Sequence, residues 1–162
     1  MRNIRSFVSS AAIILSLSAV ADSGQKKGEP PPAAAQNPAV EYSSAANPSS
    51  RTLSEVVLVG KTLYLSGKLG TDSTGKLAAG GITAETKQTL ENIKAVLEKN
   101  GSSMDNVIKC TVMLADIKEW ADMNTVYVTF FKKERLPARS AFGVGGLVQG
   151  ARVEIECMAT LK

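Results

Sequence analysis

From residue 54 onward, apolar and polar positions fall into blocks whose period moves from two to helical spacing and back. Two runs rich in Val, Leu and Tyr, SEVVLVG and KTLYLSGKLG, flank Gly60-Lys61 and predict a β-hairpin. In GGITAETKQTLENIKAVLEKNGSS, Leu90, Ile93 and Leu97 share a helical face, with Thr83 as N-cap, Glu85 in the first turn and Asn100-Gly101 as the stop. NVIKCTVML returns to alternation. Ile108, Cys110, Val112 and Leu114 fall on one side and Lys109, Thr111 and Met113 on the other, the pattern of a half-buried strand. Asp116, with Glu119 three residues on, makes an acidic version of the capping box. It opens a second helix whose apolar face holds Trp120, Met123, Tyr127, Phe130 and Phe131. After Pro137 come a short strand near 140–144, a glycine-rich turn and a long strand over 152–160. The order ββαβαββ predicts an α+β domain, a mixed β-sheet with two helices packed on one face.

The first fifty residues follow other rules. Arg2 and Arg5 precede an apolar, serine-dotted run that ends in Ala19-Val20-Ala21, the layout of a secretory signal peptide over residues 1–21. The run is shorter than the roughly 20 apolar residues that span a bilayer, so the mature form is expected to be exported, periplasmic or secreted, and not held in a membrane. Residues 22–50 are rich in Ala, Pro, Ser, Gly and Gln and read as a flexible tether. The folded domain is then expected over 51–162.

Composition removes more chemistry than it adds. The chain has no histidine, which excludes a Ser-His-Asp triad, a Cys-His dyad and a histidine zinc site. No metal and no cofactor is expected. With 19 Lys and Arg against 15 Asp and Glu, and two of those arginines in the leader, the domain has little electrostatic pull on phosphates, and nucleic acid is not expected as a partner. Cys110 and Cys157 lie on the apolar sides of their strands. A free cysteine behaves as a small hydrophobe, so both read as buried structural thiols; an exported compartment would also permit a disulfide if the two strands are neighbours. GTDSTGK, from Gly70, matches most of a P-loop, but Leu77 replaces the magnesium-binding hydroxyl and Gly80-Gly81 arrives before a helix can start. A surface turn explains it better.

What remains is an arginine and a strand of carboxylates. Arg139 follows Pro137-Ala138 at a loop-to-strand junction, and its planar fork can grip a carboxylate through two parallel hydrogen bonds. A surface arginine paired with a neighbouring glutamate would look the same in sequence. Strand periodicity puts Arg152, Glu154 and Glu156 on one face, the carboxylates roughly 7 Å apart.

The stretches GKTLYLSGKLG, GGITAETKQTLENIKAVLEKNGSSMDNVIKCTVMLADIKEWADMNTVYVTFF and PARSAFGVGGLVQGARVEIECMA resemble the RidA (YjgF) family of enamine/imine deaminases over about residues 58–159. The PARS turn, with VEIE at its fixed distance, is the specific part. This resemblance implies a RidA/chorismate-mutase-like fold and a homotrimer with clefts between subunits. It implies that Arg139 holds the carboxylate of a small 2-imino or 2-keto acid and that Glu154 assists a water molecule. Asn124, Ser66 and Ala141 complete the implied binding set. The implied activity is hydrolysis of 2-aminoacrylate and 2-iminopropionate type intermediates to 2-keto acids and ammonia. The alternative is a non-catalytic trimer that binds small carboxylates or acts as a holdase-like stress protein. Three positions depart from the family pattern: Leu53 replaces an aromatic residue, Lys68 a glutamine, and Ala141 a cysteine.

Overall fold

The computed structural model describes residues 37–43 and 52–162. The leader over 1–21 and most of the tether over 22–50 lie outside the described residues. Four short strands open the domain, β1 (Val40–Ser43), β2 (Val56–Val59), β3 (Thr62–Leu65) and β4 (Lys68–Leu69). They are followed by α1 (Gly81–Lys99), β5 (Val107–Leu114), α2 (Trp120–Tyr127), β6 (Ala138–Gly143) and β7 (Val153–Thr160).

The strands form one mixed sheet in the order β1-β2-β3-β7-β5-β6, with β4 also on β7. Only β5 and β6 run parallel. The expected hairpin is β2 and β3, turned at Gly60-Lys61 with Gly60 at φ 59, where a side chain would be strained. Both helices cover one face of the sheet. Leu63, Cys110, Val112 and Ile155 from the strands meet Leu90, Ile93, Leu97 and Met123 from the helices, all essentially inaccessible to water. Truncating any of these leucines to alanine would cost about 2–5 kcal/mol, since the cavity left cannot collapse fully.

The sheet begins earlier than residue 51. β1 lies in the stretch expected as tether, yet it pairs antiparallel with β2, Val40 opposite Val59 and Ser43 opposite Val56. Its side chains are mostly exposed. Backbone pairing holds it rather than buried apolar surface, so hydrophobic patterning does not reveal it. The second hairpin strand is also shorter than expected. Four steps from Tyr64 to Lys68 oppose three from Met158 to Ile155, so one extra residue is accommodated around Ser66-Gly67.

Three further details differ from the sequence expectations. Helix α1 starts at Gly81, with Gly80 rather than Thr83 in the cap position; Gly80 (φ 122) and Gly81 (φ 74) turn the chain into the helix three residues sooner. Glu85 is therefore past the first turn, buried, and its Oε2 accepts the Arg152 N–H at 2.8 Å, tying α1 to the start of β7. In β5 the register slips between Val107 and Lys109, so Val107 takes the core position and Ile108 is 45% exposed. Asp116 accepts the Lys118 N–H at 2.9 Å and caps a short 3-10 turn before α2, while Glu119 turns to Arg152 instead of back to Asp116.

Cys110 and Cys157 stand directly opposite each other on β5 and β7, with Cα atoms 4.2 Å apart, and are joined by a disulfide. The buried-thiol reading gives way to the bonded one because the register makes the two cysteines cross-strand partners. Asp72 organises the GTDSTGK turn, its Oδ1 accepting from the backbone and hydroxyl of Thr74 at 2.8 and 2.7 Å and from the Lys76 N–H at 3.1 Å.

Candidate active site

Arg139 lies opposite Cys110 in the parallel pairing of β6 with β5, which sends its side chain to the helix-covered face. There Nη1 donates to Asn124 Oδ1 at 2.8 Å. The guanidinium carbon is 4.5 Å from the centre of the Tyr127 ring and 5.6 Å from that of Trp120. Trp120, Asn124 and Tyr127 are spaced by four and three residues, so one face of α2 presents all three to the arginine. Among the described residues no carboxylate forms an ion pair with Arg139. Arg152, by contrast, is spent on Glu119, its Nε lying 3.0 and 3.1 Å from the two carboxylate oxygens. The surface-pair alternative therefore describes Arg152 and not Arg139.

Tyr127 is buried, and its hydroxyl has no hydrogen-bond partner among the described residues. Burial pushes the phenol up to about 12, against the opposing pull of the Arg139 charge. The ring under the guanidinium thus stays neutral at any ordinary pH. Ala141, two residues beyond Arg139 and opposite Val112, faces the same side and packs against the core.

Glu154 sits elsewhere. It opposes Met113 on β5 and Leu69 on β4, and it points away from the helices, since Val153 and Ile155 on either side are buried beneath them. Its carboxylate rests against Gly67: a Cβ added there would collide with Glu154 Oε1. Ser66 precedes this glycine and donates its hydroxyl to the Ser54 carbonyl at 2.6 Å, fixing the bend that brings Gly67 to Glu154. Lys68 is tied to Glu55 at 2.8 Å, and Lys99 reaches the same carboxylate at 3.3 Å. Burial alone would raise the Glu55 carboxyl, but the hydrogen bonds and charges of the two lysines hold it below the usual carboxylate range.

The site residues expected from sequence therefore separate into two sets. Arg139, Asn124 and Ala141 gather under α2 on one face; Ser66 and Glu154 meet at Gly67 on the other. A cavity of about 540 Å3 between the helices, lined by Lys87, Glu91, Thr125 and Phe130 among others, belongs to neither set. Sequence patterning missed Trp120 and Tyr127, which it assigned to the apolar stripe of α2. The polar Asn124 inside that stripe was the available signal. Gly67 was also missed, because only the three-dimensional approach of Glu154 shows why a side chain is excluded there. Among the described residues no cluster of three or more Cys, Asp or Glu side chains is placed to hold a metal ion.

An α+β layered fold carries Arg139 among Asn124, Tyr127 and Trp120 on one face of its sheet and Glu154 against Gly67 on the other. The sequence profile of the Endoribonuclease L-PSP family matches residues 43–161, and the chain belongs to that family, the RidA/YjgF proteins. It is 45% identical over 107 residues to a 2-iminobutanoate/2-iminopropanoate deaminase of Rattus norvegicus, a match covering 65% of this chain and 77% of the relative. The Homo sapiens protein of the same name is 44% identical with the same coverage. Among solved structures, RidA from an Antarctic Psychrobacter superposes with a TM-score of 0.66 at 38% identity, covering 78% of this chain and 99% of that one. Yeast Mmf1 superposes with a TM-score of 0.70 at 31% identity, covering 76% and 100%.

Proposed function

We propose that the chain is a deaminase-like hydrolase that converts small 2-imino acids, and the 2-amino enoic acids that tautomerise to them, into 2-keto acids and ammonia. The observation that carries this reading is the Arg139 guanidinium, held by Asn124 and Tyr127 yet paired with no acid among the described residues. The names of the relatives supply the substrate class.

Bidentate capture of the carboxylate by Arg139 orients the imine and removes the entropic cost of a random encounter. An imine protonated on nitrogen is electrophilic at C2. Glu154 orders a water molecule for attack there and carries its proton to nitrogen; such a group contributes roughly 10²–10⁴-fold. Ammonia leaves with the electrons of the C–N bond, and the keto acid remains. Each step uses only this chain's own side chains and water, so the reading requires neither metal nor cofactor.

Because Arg139 and Glu154 face opposite ways, the reading requires two chains per site, Arg139 from one and Glu154 with Gly67 from its neighbour. A homotrimer with three such clefts meets this need. The open sheet face, with Tyr64 43% and Phe142 46% exposed, is the surface that a neighbour would cover. We place the enzyme outside the cytoplasm, a location supported by the leader-like residues 1–21 and by the disulfide. Following the decay of 2-iminobutanoate, generated by an amino acid oxidase, with wild type and Arg139→Ala tests the proposal. Faster decay with wild type alone supports it, and equal rates end it. A keto acid that binds tightly without any turnover of the imine would favour a binding protein instead.

A further inference from the structure

Trp120 is the only tryptophan of the chain, and it stands 40% exposed at the first residue of α2. A role in the core accounts for Tyr127, which is buried against Phe131 with ring centres 4.8 Å apart. It does not account for Trp120, nor for a full positive charge laid against both rings. We propose that Tyr127 and Trp120 are positioning residues, whose rings, with the Asn124 amide, hold the Arg139 guanidinium in the orientation that receives the substrate carboxylate. This inference rests on the deaminase reading and deepens it.

An arginine side chain free in solvent loses much rotamer freedom on gripping a ligand. Contact with two aromatic faces restrains the guanidinium before the ligand arrives, through the attraction of a cation to the ring quadrupole. Asn124 Oδ1 engages one of the five N–H groups at 2.8 Å and sets the roll of the fork. That leaves donors free for the two parallel bonds a carboxylate accepts. The Tyr127 phenol keeps its proton to about 12, so no phenolate arises to neutralise the arginine. Its hydroxyl makes no hydrogen bond among the described residues, so the ring and not the oxygen performs this task.

Calorimetric binding of 2-oxobutanoate and steady-state kinetics with 2-iminobutanoate, on the full chain, test the inference. Trp120→Ala and Tyr127→Leu are expected to raise both Kd and KM roughly fivefold to thirtyfold, the range set by loss of a partly desolvated cation–π contact. The turnover number should stay within about twofold, as lost uniform binding requires. Tyr127→Phe, which keeps the ring, should restore wild-type Kd and KM. Should Tyr127→Leu fail to fold, Trp120→Ala at its exposed position carries the comparison alone. A wild type that binds and turns over, beside a folded Trp120→Ala with unchanged Kd and KM, overturns this inference and leaves the deaminase reading intact. So does a Tyr127→Phe protein as impaired as Tyr127→Leu. A wild type that neither binds the keto acid nor hydrolyses the imine overturns both.

Discussion

Arg139 and Glu154 point to opposite faces of one sheet, with β5 between the strands that carry them. Arg139 is level with Cys110, and Glu154 with Met113, three residues farther along that strand and therefore on its other side. Two groups so arranged cannot touch one small molecule on a single chain. In the proposed reaction, a second copy is expected to bring its glutamate to the arginine of the first.

Subunit mixing tests this directly. Arg139→Ala and Glu154→Gln proteins should each be inactive as pure assemblies. When they are refolded together in equal amounts, about a quarter of the interfaces should join an intact arginine to an intact glutamate, with activity returning in proportion. Rates no higher than those of the separate variants would place both groups in one subunit's site or outside catalysis.

Gly67→Ala should impair turnover with little effect on folding. The added methyl meets the far end of the Glu154 side chain, which can swing aside at small cost in stability but loses the aim needed for water activation. A fall in kcat of roughly tenfold or more is expected, with the melting temperature nearly unchanged. Initial rates and a thermal melt measured side by side decide it.

The bond between Cys110 and Cys157 closes a loop of 47 positions. In the chain-entropy account this stabilises the fold by about 4 kcal/mol. Urea unfolding with and without a reductant, or of a Cys110→Ala/Cys157→Ala double variant, should show the loss. Superimposable curves would mean that the sulfurs are not bonded in solution.

Alkaline pH should weaken the domain through Tyr127. Its folded-state value near 12 lies above the ordinary tyrosine value of about 10, so its contribution is complete below about pH 10 and is lost as the pH rises toward about 12. Wild type should lose stability relative to Tyr127→Phe across that window by up to about 1.4 kcal/mol per pH unit. Unfolding curves at stepped alkaline pH measure it; a difference independent of pH would show the phenol to be unshifted.

The regular parts of the fold were legible because burial leaves a period. Leu90, Ile93 and Leu97, and Val153, Ile155 and Cys157, are buried where their spacing places them. What escaped has physical causes that periodicity does not carry. β1 is held by backbone pairing alone, and Ile108 is turned outward by a bulge. Thr83 had the chemistry of a cap, but two glycines with positive φ ended the preceding loop first. For the site, residue type and strand position pointed to Arg139 and the carboxylates of the last strand, and the family resemblance singled out Glu154 and added Asn124, Ser66 and Ala141. Their division between two faces depends on strand register, which no local pattern specifies.

β7 follows every other strand in the chain yet lies between β3 and β5. While the protein is being synthesised, the hairpin half and the β5–β6 half have nothing to pair with until this segment emerges. The sheet can thus be completed only after nearly the whole domain has been made, and a chain truncated before β7 would keep two fragments with no strand to bridge them.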